Sequence, residues 1–194
     1  MESGGAILGI GGLMIGIIIV AVIIILWVIG AYNGLIRFFN EVKNAWAQID
    51  VQLKRRHDLI PNLVETVKGY AGHEKSTLEE VVKARSQAVT ASGVQEQAQA
   101  ESMLSGALGR LMVLVEQYPD LKANQNFLAL QEELASTENK IGFARQFYND
   151  QVMKYNTKIQ SIPTNIIAGI FNFSAQAFFE LENKAEREVP KVQF

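Results

Sequence analysis

The most regular feature of the chain is an apolar run near its start. Residues 3–36 carry no charged side chain, and residues 15–29 are almost continuous Ile, Val and Leu with one Trp27. About 20 consecutive apolar residues suffice for a helix to cross a bilayer. The run therefore predicts a transmembrane helix at residues 6–31 after a short tail at residues 1–5. Because a cleavable signal peptide begins with a basic region and only Glu2 is charged here, we interpret the helix as a retained anchor.

Two later stripes of apolar positions recur at alternating intervals of three and four residues. This spacing is typical of a seam between helices in a bundle. Each stripe predicts a helix about 50 Å long, which needs partner helices to cover its apolar face. The first stripe is Leu35, Phe39, Val42, Trp46, Ile49, Leu53, Arg56, Ile60, Leu63, Val67 and Tyr70, and the second is Phe127, Leu130, Leu134, Thr137, Ile141, Ala144, Tyr148, Gln151, Tyr155, Ile159 and Ile162.

Two shorter helices are predicted between these stripes, at residues 77–91 and 93–118. Ser76 with Glu79 and Ser92 with Gln95 have the capping-box spacing of helix starts, and Pro119 ends the second helix. The predicted fold class is all-α: a single N-terminal transmembrane helix, then an antiparallel up-down four-helix bundle over residues 32–162 with long first and last helices. The alternative is a three-helix coil whose first helix continues unbroken to residue 91.

The distribution of charged residues predicts the orientation of the chain in the membrane and argues against nucleic acid as a partner. No Lys or Arg precedes the apolar run, whereas Arg37, Lys43, Lys54, Arg55 and Arg56 follow it. The positive-inside rule then predicts an N-terminus outside and a bundle in the cytoplasm. The net charge is -2, and the 18 basic residues are interleaved with 20 acidic ones, so the basic face of a nucleic-acid binder is missing.

Side chains suited to catalysis or metal binding are sparse in this sequence. The chain has no Cys and only two His, and His73-Glu74 is not followed by the second histidine of an H-E-x-x-H zinc site. The G-x-S-x-G motif of a serine hydrolase is also missing. We therefore predict no catalytic residue, no metal site and no cofactor.

A polar group interrupts the first stripe. Arg56 occupies a seam position, where a buried guanidinium needs a carboxylate partner. If the two long helices are antiparallel, Glu138 faces Arg56, and Arg145 faces Gln52 or Asp50. This set is predicted to fix the register of the bundle. The neighbouring polar side chains are candidate contacts for a partner protein: Lys54, Arg55, Asp58 and Asn62.

Three pairs of glycines lie four residues apart in or beside the predicted anchor. Glycines at this spacing let a second membrane helix approach closely. They are candidate helix-packing positions: Gly5 and Gly9, Gly12 and Gly16, and Gly30 and Gly34.

Residues 163–194 form an apolar C-terminal segment and tail. One interpretation is a cap over the open end of the bundle. The other is a segment at the membrane interface, because the last bundle helix returns toward the membrane. In the three-helix alternative the same segment would be a partner site at the far tip. The candidate interface residues are Ile166, Ile167, Ile170, Phe171, Phe173, Phe178 and Phe179.

Several stretches resemble the LemA family. Residues 46–70 read WAQIDVQLKRRHDLIPNLVETVKGY, and residues 118–127 (YPDLKANQNF), 137–141 (TENKI), 145–149 (RQFYN) and 189–194 (VPKVQF) agree with the family pattern. The resemblance implies a bacterial inner-membrane protein with an N-terminal anchor and a cytoplasmic helical bundle. The family is not known for enzymes. Its members have been linked with membrane-organelle formation in magnetic bacteria and with a membrane-bound metalloprotease.

The sequence therefore predicts a membrane-anchored, non-enzymatic scaffold or adaptor. Its expected partners are the lipid bilayer and a membrane protein, for which a membrane-bound metalloprotease is a candidate, or further copies of itself. The alternative is a bundle that binds a small ligand or metal within membrane-stress or membrane-remodelling machinery.

The predicted orientation can be tested because the chain has no native cysteine. A cysteine replacing Gly4 should react with a membrane-impermeant maleimide in intact cells, and one replacing Ser92 should react only after lysis. Labelling of the Ser92 position in intact cells would reverse the assigned topology.

Overall fold

The structure is a computed structural model that describes the backbone of residues 3–180 and the side chains of residues 12–180. Residues 181–194, and with them the VPKVQF ending, lie outside the described part. Within the described residues every regular element is a helix, which confirms the all-α class. The helices are α1 (Ser3–Lys68), α2 (Lys75–Thr90), α3 (Val94–Val115), α4 (Pro119–Lys122), α5 (Gln125–Gln160) and α6 (Thr164–Ile170).

The predicted anchor and the first long stripe belong to one continuous helix, α1. This helix ends at Lys68, and a short turn containing Gly69 and Gly72 separates it from α2. Ala71 N–H closes the end of α1 by donating to Val67 O over 2.8 Å. The three-helix alternative, which required an unbroken helix to residue 91, is therefore wrong.

The ends of the helices differ from the predicted caps. Ser76 lies inside the first turn of α2 rather than at its N-cap, which is Glu74. Before α3 the Ser92 backbone N–H and hydroxyl both bond to the Glu96 carboxylate at 3.1 Å, so Glu96 replaces the predicted Gln95. Pro119 does not end α3, which stops at Val115, but forms the first position of α4, where its missing N–H costs nothing.

The described chain divides into two compact units. The first contains residues up to Val42 and Met153–Gln176, and the second contains Lys43–Val152 and the chain from Ala177. In the first unit, α1 is long and apolar enough to cross a membrane, and its side chains from Leu13 to Leu26 are exposed. Leu35, Tyr155 and Ile167 are buried in this unit.

The second unit contains the main hydrophobic core. Its buried side chains come from the predicted stripe of α1, from α2, from α3 and from the start of α5. Helix α2 packs through a row that includes the small residues Ala84 and Ala88. The fully buried members of this core include Ile60, Leu63, Val67, Val81, Leu104, Leu111, Leu121 and Phe127.

Pro61 lies inside α1, and its effect on the helix is compensated by a neighbouring helix. A proline has no N–H, so the carbonyl of His57, four residues earlier, loses its helical donor. In the structure Arg85 Nε of α2 donates to His57 O over 2.7 Å. The hydrogen bond that the proline removes from α1 is thus replaced by one that joins α1 to α2.

This compensation predicts energetic coupling between Pro61 and Arg85. Arg85→Ala should lower the free energy of unfolding by about 1–3 kcal/mol, because the half-buried His57 carbonyl loses its donor. In a Pro61→Ala background, the new backbone N–H at that position can serve the carbonyl, so the same change should cost less. Chemical unfolding of the four proteins of this double-mutant cycle measures the coupling. Strictly additive effects would show that Arg85 does not replace the missing bond.

Candidate functional site

A buried carboxylate on α3 is the centre of the most polar site in the second unit. The side chain of Glu101 is 2% exposed. Its Oε2 accepts from Arg56 Nη1 over 3.2 Å, and its Oε1 lies 2.7 Å from His57 Nε2 and accepts from Gln97 Nε2 over 2.9 Å. Three polar side chains therefore surround one carboxylate, and two of them are neighbours on α1.

Arg56 extends this cluster to a third helix. Its Nη2 donates to Ser105 Oγ over 2.8 Å and lies 3.2 Å from Glu138 Oε2 on α5. The sequence pointed to Glu138, whose side chain is 50% exposed, but it missed the buried partner Glu101. The sequence did contain a signal for Glu101. This residue precedes Leu104 by three positions and so continues the apolar stripe of α3, and a charged residue at such a position needs a charged partner.

The cluster is arranged for structure rather than chemistry. Burying a carboxylate and a guanidinium is costly unless each is paired and hydrogen-bonded. Here the carboxylate is surrounded by protein donors, and the guanidinium contacts two acids and a hydroxyl. Within the part of the chain that the structure describes, no group of three or more His, Cys, Asp or Glu is placed to hold a metal ion.

Asp50 and Gln52, two other residues of the predicted polar set, take no part in the hydrogen bonds of this cluster. Asp50 is exposed, and among the described residues it forms no ion pair with Arg145. Gln52 Oε1 is buried and accepts no hydrogen bond in the described structure, so Arg145 does not donate to it, and the facing of these two residues stays a prediction.

The four candidate partner contacts have different surroundings in the structure. Arg55 pairs with Glu133 at 2.6 Å on the surface. Lys54 and Asp58 are exposed and line, together with Arg85, a small polar cavity of about 320 Å³ beside His57. Asn62 is exposed, and its backbone carbonyl accepts from the Thr66 hydroxyl.

An apolar groove between α1 and α5 is a site that the sequence analysis missed. Phe143 is 74% exposed, Val51 is 62% exposed and Phe147 is 44% exposed. These residues fall between the positions of the two stripes, so the stripe pattern gave them no role, although two phenylalanines four residues apart share one helix face. The groove encloses about 580 Å³ and is lined by Ala47, Gln48, Val51, Gln52, Lys140, Phe143, Ala144 and Phe147.

Four of the six candidate packing glycines lie among the residues whose surroundings the structure describes, and the space beside each of them is open. A Cβ added at Gly12, Gly16, Gly30 or Gly34 would meet nothing within 4 Å. Gly5 and Gly9 precede the residues whose surroundings the structure describes. A role for these positions in packing against another helix stays a prediction.

The apolar C-terminal segment is divided between buried and exposed residues. Ile167 and Phe179 are buried, so they are not available to a membrane interface as expected. Phe173 is partly covered, with its ring centroid 5.8 Å from that of Tyr32. Four of the seven candidates are exposed: Ile166, Ile170, Phe171 and Phe178.

Asparagines of α5 hold the extended chain that follows α6. In the first unit, Asn156 accepts from Gln176 N–H and donates to Gln176 O, both over 2.9 Å. In the second unit, Asn149 bonds in the same way to Phe179 N–H and O at 2.8 and 3.2 Å. The Tyr148 hydroxyl donates to Ala177 O over 2.9 Å, and burial raises the pKa of this phenol.

Comparison with known proteins identifies the family. The LemA family profile matches residues 45–194, which is most of the chain. The chain belongs to the LemA family. The chain is 30% identical to Protein LemA of Metamycoplasma hominis over 154 residues, covering 78% of this chain and 70% of that protein.

Magnetosome proteins are more distant relatives of this LemA-family chain. Magnetosome protein MamQ 2 of Paramagnetospirillum magneticum is 25% identical over 175 residues, covering 77% of this chain. Magnetosome protein MamQ of Magnetospirillum gryphiswaldense is 24% identical over 174 residues, covering 76%. The chain spans 64% of the length of each of these relatives, which is less than two thirds.

The buried cluster predicts a strong difference between two adjacent arginines. Arg56→Ala should destabilise the protein by about 3–5 kcal/mol, because it leaves Glu101 buried without its guanidinium. Arg55→Ala, which breaks the exposed pair with Glu133, should change stability by no more than about 1 kcal/mol. Thermal unfolding followed by circular dichroism measures both.

Two further variants distinguish the carboxylates. Glu101→Ala should be as damaging as Arg56→Ala, whereas Glu138→Ala should be mild because that side chain is half exposed. If Glu138→Ala is the more destabilising of the two, then Glu138 rather than Glu101 is the essential partner of Arg56.

Proposed function

We propose that this protein is a membrane-anchored, non-enzymatic scaffold or adaptor whose helical domain binds a membrane-protein partner. The observation that carries the proposal is the apolar groove of the second unit, formed by Val51, Phe143 and Phe147. Large exposed apolar patches on ordered helices are typical of protein interaction sites. Phe143 is an unusually exposed aromatic for a residue in the middle of a long helix.

The form of the groove favours a helix as its occupant. Its lining combines the small residues Ala47 and Ala144 with the phenylalanines of α5. Small residues let a third helix approach closely, and the phenylalanine rings offer apolar surface to its apolar side.

The bundle arrangement is part of the same proposal. Within the second unit Trp46 contacts Tyr148, and Arg56 contacts Glu138. Contacts of residues later in α1 are thus made with residues earlier in α5, which supports an antiparallel pairing of the two long helices in a four-helix bundle.

The anchor supports a membrane protein as the partner. Helix α1 is continuous from its exposed apolar part into the residues that line the groove. We infer a bacterial inner membrane with the bundle in the cytoplasm, on the charge bias of the flanks. Relatives named as magnetosome proteins are in keeping with a role in organising a cellular structure. A membrane-bound metalloprotease and a second copy of the chain are the candidate partners.

The proposal predicts that the partner protein co-purifies from membranes only when the groove is intact. Phe143→Ser with Phe147→Ser should abolish recovery of a stoichiometric membrane protein, or of a second tagged copy, while circular dichroism still reports a folded helical protein, because neither side chain belongs to the hydrophobic core. Val113→Ser with Val82→Ser is the matched control, since these valines of α3 and α2 are 70% and 51% exposed, close to the 74% and 44% of the two phenylalanines. Affinity purification with quantitative mass spectrometry measures the outcome.

Two results would contradict the proposal. If both double variants recover the same proteins as the parent, the groove is not the binding site. If native mass spectrometry instead finds a small molecule retained by the parent and lost on changing Lys54 and Asp58, the polar cavity would make the protein a small-ligand-binding bundle.

A further inference from the structure

The turn after α5, together with α6, has an exposed apolar face in the first unit. Ile162 is 84% exposed, Ile166 59%, Ile170 65% and Phe171 49%. Ile166 and Ile170 are four residues apart in α6, which places them on one side of that helix, and Ile162 lies in the turn before it. We call these four residues the α6 patch.

The orientation of the α6 patch is fixed by the opposite face of the helix. Thr164, Ile167 and Ala168 are buried against the first unit. The chain after α6 is then held by Asn156, which makes two hydrogen bonds to the backbone of Gln176. A helix of only seven residues would not be stable alone in water, so these contacts are what present the patch to the outside.

The patch lies beside the end of the apolar part of α1. The ring of Phe171 is 4.8 Å from the ring of Tyr32, centroid to centroid. Tyr32 is the residue directly after the predicted anchor at residues 6–31, and tyrosine is enriched at the level of lipid headgroups. If α1 spans the bilayer over residues 6–31, Phe171 of the patch lies at the depth at which the helix leaves the hydrocarbon.

The composition of the segment favours lipid over a polar partner. Residues 159–179 contain no charged side chain, and the first charge that follows is Glu180. An apolar face without charge, fixed at the level of a headgroup-type tyrosine, matches a segment that lies in the membrane interface.

We propose that the α6 patch inserts into the interface of the same bilayer that holds α1, and so gives the protein a second contact with lipid. This inference rests on the proposed anchor. Two contacts on different parts of the chain restrict how α1 can rotate and tilt in the membrane, since rotation about the anchor would lift the patch out of the lipid.

The experiment uses the full chain, which has no native cysteine, in vesicles of equal parts phosphatidylcholine and phosphatidylglycerol. Single cysteines replace Ile170, Ile19 or Val82, and each carries the same environment-sensitive fluorophore. Nitroxide lipids report contact with acyl chains, and iodide reports contact with water. Val82 is the matched control, an apolar residue of α2 that is 51% exposed.

We expect the Ile170 probe to be quenched by a shallow nitroxide lipid and protected from iodide. The Ile19 probe should be quenched by a deep nitroxide, and the Val82 probe by iodide alone. Replacing Ile162 and Ile166 by Asp should remove most of the shallow quenching at residue 170 and leave the signal at residue 19 unchanged.

Three outcomes would overturn the inference. Iodide access at Ile170 with deep quenching at Ile19 refutes the patch while the anchor stands. Iodide access at both positions refutes the anchor, and the inference falls with it. Protection of Ile170 from both quenchers shows that a second copy of the chain, rather than lipid, covers the patch.

Discussion

The interaction on which the second unit depends is the burial of one carboxylate. Glu101 is almost wholly removed from water, and the free energy lost by its dehydration must be recovered from Arg56, His57 and Gln97. Arg56 and His57 are consecutive on α1, so only one rotation of α1 against α3 satisfies both contacts. Apolar packing alone is compatible with several neighbouring registers of α1 against α3, whereas a buried charge that needs its partner is compatible with few.

His57 links this pair to a second constraint. Its ring contacts Glu101, and its backbone carbonyl, left without a donor by Pro61, accepts from Arg85 of α2. One residue of α1 thus contacts both of the shorter helices through polar atoms. The polar side chains of this cluster join helices, whereas the groove at Phe143 and the α6 patch are exposed apolar surfaces.

The chain after α6 is held by amide side chains rather than by a regular element. Asn149 and Asn156 each bond to both backbone groups of one residue, Phe179 and Gln176. An asparagine can donate and accept at once, so it supplies the pairing that a neighbouring strand would otherwise provide. Within the second unit, backbone recognition of this kind places Phe179 beside Trp46, with ring centroids 5.7 Å apart.

The sequence by itself determined the all-helical class, the apolar helix at the start, the stripes of α1 and α5 and the family. These follow from the period of apolar positions and from residue order, which are local properties of the chain. It also indicated that Arg56 needs an acid, because the cost of burying a guanidinium does not depend on the fold. Helix starts were placed less well, since several hydroxyl and carboxyl groups lie within reach of each free amide.

Only the tertiary structure decided which groups meet. Glu101 rather than Glu138 is the buried partner of Arg56, and Arg85 serves the carbonyl freed by Pro61, because both depend on the packing of helices that are distant in sequence. The seven apolar residues of the C-terminal segment look equivalent in sequence. Packing buried Ile167 and Phe179 and left Ile166, Ile170 and Phe171 exposed, since a residue's burial is a property of its neighbours in space.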